Sequence, residues 1–69
     1  MFEIGKFYMH STGEMMAILG RLPTTMYGDC LIAEVAGKYN HSIKAIGSDV
    51  DSAANWVEVT QEEWLANFS

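Results

Sequence analysis

Apolar residues along this chain fall in short runs, many of them alternating with polar residues, and this pattern is typical of β-strands. Two apolar runs, residues 15–19 and 30–33, flank a turn-rich segment at residues 23–29. Apolar runs of this length that are bounded by Gly and Pro favour strands over helices. The pattern predicts five strands, at residues 2–10, 14–22, 30–36, 42–46 and 56–59.

The second predicted strand is apolar on both faces. One face carries Met16, Ile18 and Leu22, and the other carries Met15, Ala17 and Leu19. A strand with one face in water alternates more cleanly, so a helix, the opposite wall of a barrel or another subunit must cover the second face. A helix is the alternative for this segment, but Gly13, Gly20 and Pro23 bracket it tightly and favour a strand.

The last predicted element is a helix of about nine residues that Thr60 opens. Thr60 is a suitable N-cap, and Glu63, three residues on, completes a capping box. The helical rule of i, i+3 and i+4 places Trp64, Leu65 and Phe68 on one face. We expect this face to dock on the spare apolar face of the sheet.

These elements predict a mainly β fold of the α+β class in a single domain, residues 1–69. It is an antiparallel sheet of four or five strands, strongly curled or closed like an SH3-type barrel, with a C-terminal helix. Turns are expected at residues 11–13 and 37–41, with loops at 23–29 and 47–55; a single helical turn at residues 48–54 is the alternative within the last loop. A chain of 69 residues buries only about 60% of its unfolded surface. Homo-oligomerisation is an alternative way to bury more.

The charge is unevenly distributed along the chain. The net charge is −5, and residues 1–48 contain equal numbers of acidic and basic residues. All of the net charge therefore falls in the last third, which has no Lys or Arg and contains Asp49, Asp51, Glu58, Glu62 and Glu63. This distribution disfavours direct binding of nucleic acid, because that affinity comes from Lys and Arg. It favours a partner protein with a basic surface.

The single cysteine, Cys30, excludes an intramolecular disulfide and fits a reducing cytoplasm. Residues 1–6 lack the features of a signal peptide, and no apolar run approaches the roughly 20 residues that span a bilayer. We therefore expect a soluble, cytoplasmic protein that does not bind a membrane.

No segment carries a strong catalytic or metal-binding signature. His10 and His41 each lie at a predicted turn without a second ligand nearby, which indicates surface or capping roles. Cys30 follows Asp29, whose charge disfavours a thiolate, so a buried core residue is favoured unless a histidine lies nearby in space. Residues 49–52 resemble the start of a calcium loop but lack its later Gly and Glu. We predict no catalytic residue, no metal and no cofactor.

A second candidate contact lies in the loop between the second and third strands. Met26 and Tyr27 are of the types enriched at protein interfaces, although burial over the end of the barrel is an equal alternative. The predicted partner-binding residues are Asp49, Asp51, Glu58, Glu62, Glu63, Met26 and Tyr27.

Several short segments resemble small accessory proteins encoded in bacteriophage and prophage genomes. They are residues 4–8 (IGKFY), 24–28 (TTMYG), 31–34 (LIAE), 55–56 (NW) and 60–64 (TQEEW). The resemblance spans most of the chain and implies a phage accessory protein that acts in a bacterial host. Such proteins often bind and block a host or anti-phage defence protein, including nucleases. The resemblance implies no catalytic residue.

The preferred hypothesis is therefore a non-enzymatic protein that binds and inhibits a host or defence protein. The alternative is a homo-oligomeric structural or small-ligand-sequestering protein, with its pocket between subunits. A small enzyme that uses Cys30 or a histidine is the third hypothesis.

Overall fold

The structure is a computed structural model that describes residues 2–26, 28–47 and 55–68. It contains β1 (Phe7–His10), β2 (Met15–Thr24), β3 (Gly28–Ala36), β4 (His41–Gly47), β5 (Trp56–Val59) and α1 (Gln61–Ala66). The predicted mainly β fold with a C-terminal helix is confirmed. Of the loop predicted at 47–55, residues 48–54 lie outside the described residues.

The five strands form one antiparallel sheet in the order β4-β3-β2-β1-β5. The first four strands are joined in sequence, and β5 pairs with the outer edge of β1. Among the described residues, no ladder joins β4 to β5. The sheet is therefore open, and the closed-barrel form of the prediction does not occur.

The two faces of the sheet build two separate apolar clusters. The cluster on the first face consists of Phe2, Tyr8, Met16, Ile18, Leu31, Ala33 and Val35, with Ile46 and Trp56 packed against it. The cluster on the second face, called the helix face below, consists of Met15, Ala17, Ala36 and Trp64, with Phe7 and Val59 packed against it. Because β2 contributes to both clusters, its two-sided apolar pattern is explained.

Helix α1 covers part of the helix face, as predicted, but it does so with one side chain. Trp64 is 6% exposed, whereas Leu65 is 56% and Phe68 is 45% exposed. The helix has six residues rather than nine, so it presents less than two turns to the sheet. Docking was therefore wrong for Leu65, whereas Phe68, two residues after α1, is partly exposed but its ring contacts those of Trp64 and His41 at 4.9 and 5.0 Å between centroids.

The first predicted strand is shorter than the sequence pattern indicates. Only Phe7–His10 is strand, because Gly5 adopts φ 85°, a left-handed conformation that an extended strand does not contain. The Gly5 N–H donates to the Ile18 carbonyl at 2.9 Å. The residues that precede this turn fold onto the first face, where the Phe2 ring contacts the Tyr8 ring at 4.9 Å between centroids.

The hairpin of β2 and β3 is longer than predicted and contains an irregularity. Pro23 pairs with Asp29, so much of the predicted loop at 23–29 is strand. The register shifts between Ile18 and Gly20, and such a bulge inverts the alternation beyond it. Leu22 consequently lies opposite Cys30 on the helix face. Its predicted place beside Met16 and Ile18 was wrong.

Candidate functional site

Three of the predicted acidic residues fall within six consecutive residues where β5 leads into α1. Glu58 pairs with Tyr8 and points to the first face, whereas α1 lies on the helix face. Glu58 is on β5, and Glu62 and Glu63 are in the first turn of α1; these three residues are called the acidic end below. Asp49 and Asp51 lie outside the described residues. The acidic end is therefore the part of the predicted charge cluster that the structure describes.

The three glutamates differ in how far their carboxylates already interact with other groups of the protein. The Glu58 carboxylate lies 3.6 Å from Lys6 Nζ, and both side chains are about half exposed. Glu63 caps the helix: its N–H donates to Thr60 Oγ1 at 3.1 Å, and the Thr60 N–H donates to its carboxylate at 3.4 Å. This confirms the predicted capping box. Glu62 is exposed, and no basic side chain of the described segments lies within ion-pair distance of it.

The predicted apolar contact lies at the other end of the molecule. Met26 is 78% exposed at the tip of the β2–β3 hairpin, and Tyr27 lies outside the described residues. Val59, next to Glu58 on β5, pairs with Phe7, and Phe7 pairs with Ala17 on β2. Ala17 lies seven residues before Thr24, the last residue of β2. At about 3.3 Å per residue this is roughly 23 Å. Met26 and the acidic end therefore do not form one cluster.

Part of the helix face carries apolar side chains that α1 leaves exposed. Ile43 is 65% and Leu22 is 58% exposed, and Ile32 lies between Gly20 and Ala45 on adjacent strands. Strands β2, β3 and β4 together form a continuous uncharged surface on this face, which is called the uncovered apolar surface below. It consists of Gly20, Leu22, Ile32, Ile43 and Ala45. Sequence analysis missed it because it placed Leu22 on the other face and gave α1 a longer docking side.

Polar side chains border the uncovered apolar surface on the side nearest to Trp64. The His41 Nε2 atom lies 2.5 Å from the Glu34 carboxylate, and the imidazole ring packs against Phe68 at 5.0 Å between centroids. Both polar side chains point to the helix face, since Glu34 pairs with Ala17 and with Ile43. The hydrogen-bonded side chains of His41 and Glu34, together with Phe68, therefore separate the uncovered apolar surface from the part of the face that Trp64 occupies.

The first face contains a cavity of about 150 Å³. Five apolar side chains and two charged ones line it: Phe2, Met16, Val35, Ile46, Trp56, Glu14 and Lys44. They come from the N-terminal segment, from all of the strands except β1, and from the turn before β2. The sequence pattern did not reveal this cavity, because its lining residues come from distant parts of the chain, including Phe2 of the N-terminal segment.

The residues considered for catalysis or metal binding lie apart from one another. His10 Nδ1 lies 3.0 Å from Thr12 Oγ1, which fits the predicted capping role at a turn. Cys30 is buried, as predicted. His41 pairs with Ala36, six residues along β3 from Cys30, which is about 20 Å. Within residues 2–26, 28–47 and 55–68, no three His, Cys, Asp or Glu side chains are grouped as metal ligands would be.

One further ion pair lies on the first face near the end of the hairpin. The Arg21 Nε atom donates to the Asp29 carboxylate at 2.7 Å. The hydrogen bond and the negative charge of Asp29 both raise the pKa of Arg21. Both side chains are substantially exposed, so this pair contributes little to stability.

Comparison with known proteins finds no matching family model, no matching curated protein and no matching solved structure. In the part of the chain that the structure describes, no helix has both the length and the apolar character to cross a bilayer. The acidic end, the uncovered apolar surface and the cavity are therefore the features of the molecule that bear on its function.

Proposed function

We propose that this protein is a non-enzymatic binding protein that docks its acidic end on a basic surface of a partner protein. In this proposal it is a phage-type accessory protein in the cytoplasm of a bacterial host. There it binds and inhibits a host or anti-phage defence protein, for example one whose basic groove normally holds nucleic acid. The observation that carries the proposal is the exposure of Glu58, Glu62 and Glu63, which fall within six residues at the junction of β5 and α1.

The acidic end carries more negative than positive charge. Lys6 lies within ion-pair distance of Glu58, and no basic side chain of the described segments lies within that distance of Glu62 or Glu63, so the three carboxylates keep a net negative charge. Charges of one sign on an exposed surface accelerate association with a surface of the opposite sign, and salt weakens the effect. The carboxylates lie on a strand and on a capped helix, so binding requires little ordering of these residues.

The test is capture of partners from bacterial lysate at low and high salt. The protein is used as wild type and as the double variant Glu58→Lys with Glu62→Lys. The control, Asp29→Lys, reverses one charge at the far end of β3. We expect a partner that is retained by wild type and by the control at low salt, and lost from the double variant. Capture that is indifferent both to salt and to reversal at the acidic end would refute the proposal.

A second candidate function is a homo-oligomeric structural protein, and the uncovered apolar surface favours it. A patch with Leu22 and Ile43 exposed on neighbouring parts of one face marks an interaction surface more often than a free one. A two-fold arrangement would place this surface against its own copy. Sedimentation equilibrium tests it: Ile43→Lys should shift the protein toward monomer. A wild-type protein that is monomeric at every working concentration would exclude this function.

A further inference from the structure

The cavity on the first face has a size that suits one particular kind of occupant. Its volume is about 150 Å³, and an apolar protein cavity of this order admits a single benzene ring. Phe2 and Trp56 contribute aromatic walls, with ring centroids 6.1 Å apart and planes at 89°. Met16 and Val35 contribute aliphatic walls. The cavity therefore fits one six-membered ring.

The charged side chains that line the cavity further restrict the chemical class of ligand that it can bind. Glu14 and Lys44 both line it, and within the described segments neither belongs to an ion pair. Glu14 is half-buried and Lys44 is exposed, so both lie where an apolar interior meets water. Their charges have opposite sign. A ligand that complements both must present a cation to Glu14 and an anion to Lys44.

We propose that this cavity binds a small aromatic zwitterion, a molecule with one six-membered ring that carries both a carboxylate and an ammonium group. The ring enters the apolar interior against Phe2 and Trp56. The carboxylate pairs with Lys44 and the ammonium group pairs with Glu14. This site is within one chain, and it is separate from the acidic end and from the uncovered apolar surface.

The test uses L-phenylalanine as the probe and the two indole N–H signals in proton–nitrogen correlation spectra as reporters. We expect a saturable shift of the Trp56 signal, with a dissociation constant on the order of 1 mM, as for other small ligands. Trp64 lies on the opposite face, so its signal should stay in place. Phenylpropionate lacks the ammonium group and phenethylamine lacks the carboxylate. Each should bind at least threefold more weakly.

Two pairs of variants connect the binding to this cavity. Ile46→Trp fills it and should abolish the shift, whereas Ile43→Trp, on the opposite face of the same strand, should retain it. Lys44→Met should remove the preference for phenylalanine over phenethylamine, whereas Lys38→Met, in the turn before β4, should retain that preference. Since Lys44 is exposed, its substitution keeps the test valid even if Ile46→Trp does not fold.

The proposal is overturned by any of three results. The first is the absence of a saturable shift at the solubility limit of phenylalanine. The second is an equal shift at Trp64, which would indicate non-specific binding. The third is an unchanged preference in Lys44→Met with the fold intact by circular dichroism. None of these results bears on the acidic end, so the proposed function is tested independently.

Discussion

Replacement of Trp64 by alanine is the most informative test of the fold, because this side chain attaches α1 to the sheet. The indole is 6% exposed and packs with Met15, Ala17 and Ala36. Burial of about 200 Å² at about 25 cal/mol per Å² corresponds to roughly 5 kcal/mol. Trp-to-Ala substitutions in cores typically cost about 3–5 kcal/mol, and we expect a value in this range.

This loss is large compared with the stability of the whole protein. A chain of 69 residues is expected to have an unfolding free energy of roughly 3–10 kcal/mol. We therefore expect Trp64→Ala to be largely unfolded, or to unfold at a much lower urea concentration than wild type. Urea titration followed by far-UV circular dichroism measures this, because the signal does not depend on the tryptophan that is removed.

The matched control is Leu65→Ala, which changes the adjacent residue of the same helix. Leu65 is 56% exposed, so its substitution should cost less than about 1 kcal/mol. A loss below about 1 kcal/mol for Trp64→Ala would refute the docking of α1. Equal losses in the two variants would refute the assignment of Trp64 as the buried contact.

Three further predictions concern single positions. Thr60→Ala removes the side chain that accepts from the Glu63 N–H, and should lower the unfolding free energy by about 1 kcal/mol in urea titration; no change would mean that the cap does not form. Gly5→Ala places a Cβ at φ 85° in open space, so it should cost about 1–2 kcal/mol from backbone strain alone. Gly20→Ala is its control, with similar space and no positive φ, and an equal loss there would contradict this explanation. Glu62→Lys should weaken capture of a basic partner at low salt and leave the urea midpoint nearly unchanged, since Glu62 is exposed.

The strands were predictable where local pattern alone determined them. The run through Met15 and Ile18 is too apolar and too tightly bracketed for an exposed helix, and the Thr60 capping signal fixed the start of α1. The errors arose where one backbone dihedral decides the outcome. A positive φ at Gly5 and an extra residue near Leu19 leave no trace in the alternation of apolar and polar residues.

The candidate sites were less predictable, because they depend on contacts between distant parts of the chain. The position of Glu58, Glu62 and Glu63 at one junction was readable, since they are neighbours in sequence, but not that Glu58 points to the face opposite α1. The cavity was not readable, because Phe2 reaches Trp56 across the sheet. Lys44 and Glu14 showed no pattern that would join them, as they come from β4 and from the turn before β2.

The far end of the β2–β3 hairpin has a consequence for how the molecule opens. Within the part of the chain that the structure describes, the β1 ladder on β2 ends at Ala17 and the β4 ladder on β3 ends at Cys30, so the rows of Pro23 with Asp29 and of Thr24 with Gly28 lie beyond both ladders. A two-stranded ribbon is marginal by itself in water. Backbone amides there should exchange with deuterium by local opening, long before those of Met16 and Ala33. A label attached near this tip would therefore detect binding of a partner without disturbing the strands that form the two apolar clusters.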